Sequence, residues 1–172
     1  MDHDTRSCAV TAKTASHSSP SQAPSAVAAA GIVEESEYTP MPVVEAIVHV
    51  IGPRPGDLCY DLGCGDGRLV IAMGATGACS VGIELDAGRA SLARDRCKAS
   101  GVKNLAIRTG DLRTVGDVES ATIVVIWQFD ELLRAGLARC TNAHTIVSIE
   151  HEIKGARPYV KDGVRFWVWR KH

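Results

Sequence analysis

The chain of 172 residues holds no apolar run near the roughly 20 residues that a membrane-spanning helix requires. No membrane span is expected. Neither sign of charge dominates. Nineteen Lys and Arg stand against twenty Asp and Glu, a formal net charge of -1, so the whole chain exerts no strong pull on a polyanion. Aromatic residues are scarce. Three Trp, three Tyr and two Phe are too few for an extended stacking groove that would read single-stranded RNA. A nucleic-acid partner is therefore not expected. None of the six cysteines forms a Cys-x-x-Cys pair, so no metal site is expected. They read as buried free thiols in a reducing compartment.

Periodic apolar residues are missing from about the first thirty positions, which are rich in Ser, Ala and Thr. Residues 1–33 read as a disordered tail ahead of one domain at 34–172. Asp2 and Asp4 argue against a mitochondrial presequence, which is acid-poor. The Val27–Val33 run is short and has no basic segment before it, which argues against a secretory signal. The expected compartment is the cytoplasm, with a cleaved mitochondrial peptide as the alternative. The oligomeric state is not legible.

What is present centres on Tyr60-Asp61-Leu62-Gly63-Cys64-Gly65-Asp66-Gly67-Arg68. It reads as the end of a buried strand, a glycine turn and the start of a helix. Gly63, Gly65 and Gly67 alternate, so the backbone can turn sharply and a ligand can lie against it. A dinucleotide loop would be Gly-x-Gly-x-x-Gly, with its third glycine one residue later. Asp61 and Asp66 would also repel a pyrophosphate. Two such carboxylates suit a ligand with a cationic end.

The rest of the chain alternates strands and helices. Glu34 to Pro42 is a polar lead-in, in which Tyr38 and Thr39 are either a flap over the ligand pocket or a surface segment. A helix carries Val43, Val44, Ile47, Val48 and Ile51. The first strand runs from Asp57 through Tyr60, and Arg68 to Met73 is a short helix. The second strand is Ser80 to Leu85 and ends at Glu84, about 20 residues past the glycines, where a ribose-binding acid belongs; Asp86 is its rival. Leu85 lies beside both. Ala87 to Ser100 is a helix with Ala90, Leu92, Ala93 and Cys97 inward. Leu105 to Thr109 is the third strand, followed by Gly110-Asp111-Leu112.

Ala121 to Trp127 is apolar throughout, as a central strand should be. Trp127 and Phe129 alternate beyond it, and either wall a slot for an alkylamine or lie in the core. Asp130 to Cys140 is a helix with Leu132, Leu133, Leu137 and Ala138 inward. Thr145 to Ile149 is the fifth strand, ending in Glu150-His151-Glu152. Tyr159 to Lys161 and Val164 to Trp169 flank Asp162-Gly163 as a hairpin. The expected fold is α/β: a doubly wound, mostly parallel seven-stranded sheet that ends in an antiparallel hairpin.

Asp-Leu-Gly-x-Gly-x-Gly at 61–67 resembles motif I of the class I methyltransferases. Their cofactor, S-adenosyl-L-methionine, carries an ammonium and a sulfonium but no phosphate. The resemblance implies that Asp61, Gly63, Gly65 and Gly67 wrap its methionine and ribose part. It also implies that Glu84 accepts from the ribose, that Asp111 accepts from the adenine amino group, and that Leu112 lies against the base. Tyr38, Thr39 and Leu85 complete the expected cofactor set. Within that class the chain is most similar to small archaeal protein-lysine methyltransferases and to mitochondrial enzymes that methylate a lysine of ATP synthase subunit c. Tyr-Thr-Pro-x-Pro at 38–42, Gly-Asp-Gly-Arg at 65–68, Val-Gly-Ile-Glu-Leu at 81–85 and the aromatic last strand carry that likeness. It implies N-methylation of a protein lysine, with Trp127, Asp130, Glu150 and His151 as the acceptor-side candidates. The alternatives are a small-molecule or RNA methyltransferase, or a partner subunit that binds the cofactor without turnover. The chain departs from those relatives on the acceptor side: Asp130 stands where they tend to have Pro, and Ile149 follows Ser148 where they often have His.

Overall fold

The computed structural model describes residues 38–115, 117–127 and 130–171. The expected tail and Phe129 lie outside them. Helix α1, Met41–Ile51, starts at two prolines, where the missing N–H costs nothing. It ends at Gly52, whose left-handed backbone lets its N–H donate to the Val48 carbonyl. Strand β1, Leu58–Leu62, then feeds the glycine turn. It is followed by α2 (Arg68–Gly74), β2 (Cys79–Glu84), α3 (Ala87–Ser100) and β3 (Leu105–Thr109). A 3-10 turn at Val118–Ser120 precedes β4 (Ile123–Ile126), α4 (Asp130–Arg139), β5 (Thr145–Ile149), β6 (Arg157–Lys161) and β7 (Val164–Arg170).

The seven strands lie in the order β3-β2-β1-β4-β5-β7-β6. The first five are parallel, and β7 runs antiparallel to both β5 and β6. This is the doubly wound sheet with a closing hairpin that the sequence predicts. The chain winds outward from β1 to β3, then crosses back to β4 beside β1. The carboxyl ends of β1 and β4 therefore form the switch point where ligands enter such sheets.

Alternate side chains build two cores. Cys59, Ile123, Val125, Val147 and Ile149 face α1 and α2, against Val43, Ile47 and Met73. Tyr60, Leu62, Val81, Ile83, Val124 and Ile126 face the other side. The period of two puts Asp61 on the α1 face, between Cys59 and the turn.

Several bounds and faces differ from the sequence reading. β1 reaches Leu62 because its ladder continues to Ile83 on one side and Ile126 on the other. β4 stops at Ile126 because β1 has no residue beyond Leu62 to pair with. Leu92 is exposed: the inward stripe of α3 is Ala90, Ala93 and Cys97, and position 92 lies about 200° from Ala90 on a helix. Ala138 also faces outward. Its neighbour Arg139 turns in instead and donates to the Leu112 and Val115 carbonyls.

Candidate functional site

The three alternating glycines of the turn have φ of 92, 53 and 80°, a region that costs any other side chain strain. The N–H groups of Gly63 and Cys64 both donate to the Ile83 carbonyl, at 2.8 and 2.9 Å, which folds the turn back onto β2. The Gly65 N–H donates to Glu84 Oε2 at 2.9 Å. A Cβ at Gly65 would lie 2.9 Å from Tyr38 Cε1, so the tyrosine ring rests on this glycine.

Asp61 and Glu84 stand at the tips of adjacent strands. Asp61 is 6% exposed and Glu84 8%. Among the described residues no hydrogen bond reaches the Asp61 carboxylate. Burial, then the charges of Glu84 and Asp66, push its pKa up to about 7. Glu84 is committed to the backbone: Oε2 takes Gly65, and Oε1 takes the Asp86 N–H at 2.9 Å. Its rival Asp86 caps α3 by accepting from the Arg89 N–H at 2.7 Å. The Gly110 N–H donates to the Glu84 carbonyl at 2.9 Å, which brings Asp111 beside the β2 tip.

Asp111 is not idle. Its carboxylate is gripped by Arg113 through Nε and Nη2 and by the Arg113 N–H. The guanidinium and that N–H lower its pKa to about 2. Leu112 is 8% exposed and packs in the second core. Leu85, by contrast, is 70% exposed directly beyond Glu84.

Asp66 corrects the sequence reading most. It is wholly buried, but it does not offer a free charge to a ligand. Arg68 forks both its oxygens, and Arg96 from α3 pairs with Oδ2. The Arg68 guanidinium also donates to the Thr39 carbonyl at 3.0 Å and lies 5.1 Å from the centre of the Tyr38 ring. Arg68, Arg96, Arg113 and Arg139 are the site-supporting residues that the sequence reading missed. Only Arg68 carried a signal, as the last residue of the glycine motif.

On the acceptor side, β4 and β5 are adjacent, so Trp127 and the Glu150–Glu152 segment leave the sheet at the same end. Trp127 is half-buried against the first core. Asp130 opens α4. Glu150 is exposed and has a φ of 63°, held by its N–H donating to the Arg165 carbonyl at 2.8 Å. His151 beside it is half-buried. Tyr159 and Phe166 stack 5.2 Å apart on the same face as Trp127. A cavity of about 770 Å³ lined by His49, Arg54, Asp57, His144, Arg170 and Lys171 lies at the opposite end of the strands, away from the glycine turn. Among the described residues no three His, Cys, Asp or Glu side chains converge as a metal site. No described helix is long and apolar enough to cross a membrane.

The ANTKMT methyltransferase domain matches residues 61–160. A protein-lysine N-methyltransferase of Saccharolobus islandicus is 33% identical over 127 residues, covering 70% of this chain and 78% of that protein. The crystal structure of an RNA methyltransferase from Salinibacter ruber, in complex with S-adenosyl-L-homocysteine, superposes with a TM-score of 0.70 at 31% identity. That superposition covers 77% of this chain and 92% of the other. A ribosomal RNA small subunit methyltransferase A of Methylococcus capsulatus is 36% identical over 87 residues, which is 33% of its length. With the motif, the sheet order and more than half of the chain matched, the protein belongs to the ANTKMT methyltransferase domain family of class I methyltransferases.

Proposed function

We propose that the protein is an S-adenosyl-L-methionine-dependent N-methyltransferase that modifies lysine side chains of a protein. The donor set fits that cofactor. Asp61 is a buried carboxylate with no hydrogen-bond partner among the described residues, and an ammonium or sulfonium nearby would bring back its charge. Glu84 keeps lone pairs beyond its two backbone bonds, enough for both ribose hydroxyls. Leu85 offers an uncovered apolar side chain to the base, and Asp111 stands beside it. The glycines, with Tyr38 and Thr39 above them, form the wall. When bound, the cofactor supplies an electrophilic methyl group for in-line displacement.

The acceptor side of the reading rests on charge. Around the β4 and β5 tips Glu131, Glu150 and Glu152 are exposed, and Asp61 and Glu84 lie behind them. These carboxylates attract a lysine ammonium, and exposed Arg134, Lys154 and Arg165 stand in the same stretches. The lysine must lose a proton before it attacks, because its unperturbed pKa is about 10.4. Trp127 gives the mouth a dry wall that favours the neutral amine. Glu150 and His151 orient the amine or take its proton. The chain's part is mainly alignment of two reactants. The similarity to a protein-lysine methyltransferase supports the same substrate class.

A second reading, an RNA substrate, is favoured by the similarity to the Salinibacter enzyme. Tritiated cofactor with a lysate of the protein's own source separates the two. Label in protein, mapped to methyl-lysine by mass spectrometry, is the expected result. Label confined to RNA would overturn the lysine reading.

A further inference from the structure

Arg68 makes more kinds of contact than any helix start requires. Its Nε and Nη2 bind the buried Asp66, its Nη1 donates to the Thr39 carbonyl at 3.0 Å, and its plane lies over the Tyr38 ring. Tyr38 is in turn pressed on Gly65, so closely that a Cβ there would meet the ring at 2.9 Å. Gly65 is therefore gripped from two sides, by Tyr38 on one and by Glu84 through its N–H on the other. Asp66 cannot pull Arg68 away from the lead-in. It is wholly buried, and Arg96 supplies it with a second cation. The trio of Asp66, Arg68 and Arg96 leaves one positive charge, and Arg68 points its remaining donor and its face at residues 38 and 39.

We infer that Arg68 is a positioning residue that straps the Tyr38–Thr39 lead-in shut over the glycine turn and so sets how long the cofactor stays bound. The inference rests on the proposal that the turn holds S-adenosyl-L-methionine. Arg68 acts through the Tyr38 ring and the Thr39 carbonyl. Lysine cannot replace it, because an ammonium has no planar fork to share between a carboxylate, a carbonyl and a ring.

The test uses S-adenosyl-L-homocysteine as the probe, with calorimetry for affinity, stopped-flow fluorescence for dissociation and thermal unfolding as the fold control. Arg68→Ala and Tyr38→Ala are each expected to weaken binding about tenfold or more, mainly by faster dissociation. Because they break one strap, the double variant should lose little more than either alone. Arg68→Lys should keep most of the thermal stability, since a cation still faces Asp66, yet bind as weakly as the alanine variant. If Arg68→Ala does not fold, Arg68→Lys and Tyr38→Ala decide. Parental dissociation rates in folded Arg68→Lys and Tyr38→Ala, or losses that multiply in the double variant, would overturn the strap alone. A parent protein that does not bind the probe would overturn the cofactor reading and the strap with it.

Discussion

Replacing Asp61 with Asn should make the ligand-free protein more stable, by an amount that grows with pH. The carboxyl titrates near 7 in the folded chain and near 3.9 when unfolded. A raised folded value means that the folded state holds the proton more tightly. Stability from this group is complete below about pH 4 and is lost as pH rises through 7. Three pKa units correspond to about 4 kcal/mol at pH 8 and, with the unfolded carboxyl already ionised, about 2 kcal/mol at pH 5. The Asn variant has no charge to lose. Its advantage over the parent should widen between those pH values, to roughly 10 °C in Tm at pH 8. Binding should show the opposite preference. A cationic ligand end favours ionised Asp61, so S-adenosyl-L-homocysteine should bind with proton release below pH 7 and tighten as pH rises. Thermal unfolding at pH 5 and 8, and calorimetry in two buffers of different ionisation enthalpy, read both effects. Parallel pH–stability curves for parent and variant would refute the reasoning, as would binding without proton release at pH 6.

Glu84→Ala removes the acceptor of two backbone N–H groups, Gly65 and Asp86. Hydrogen bonds to a charged group contribute about 1.5–3 kcal/mol each, so denaturant unfolding should show a loss of about 3 kcal/mol or more. Cofactor affinity should fall at least a hundredfold; parental affinity would contradict the ribose assignment. Asp66→Ala leaves Arg68 and Arg96 facing each other with no carboxylate between them. Removing one partner of a buried pair costs about 3 kcal/mol, read as a lower urea midpoint that high salt partly restores.

How much was legible depended on distance along the chain. α3, β3 and β5 were readable to the residue because their ends are marked: Asp86 and Gly101 bracket α3, Gly110 follows β3 and Glu150 follows β5. Glu84 was readable because a strand-end acid at that spacing from a glycine turn has a geometric reason to be there. The states of the acids were not readable. Asp66 looked like a ligand carboxylate, yet its second partner, Arg96, is thirty residues away on another helix. Leu92 failed for a simpler reason: α3 packs through two alanines and a cysteine, so the larger apolar residue is not the inward one. The acceptor side stayed ambiguous because its residues leave the sheet after the last ladder pair, where periodicity no longer constrains them.

The three tip acids form one row in sequence terms, but they bring different capacities to a ligand. A carboxylate has about four lone-pair sites. Asp61 spends none on the described protein and titrates near neutrality, so its contribution is a charge that a cation completes on arrival. Glu84 spends two on backbone N–H groups and keeps two, already aimed by the bonds that hold it. Binding there requires no rearrangement. Asp111 takes three N–H groups of Arg113 in four contacts, so one lone-pair site is left. Arg113 is exposed enough to swing and free more. The notch is therefore preorganised at β1 and β2 and adjustable at β3. On the proposed cofactor assignment, the methionine and ribose end meets the fixed carboxylates and the base end meets the adjustable one. The rigid part of the site then lies next to the reacting methyl, where misplacement by about 1 Å costs on the order of a hundredfold in rate.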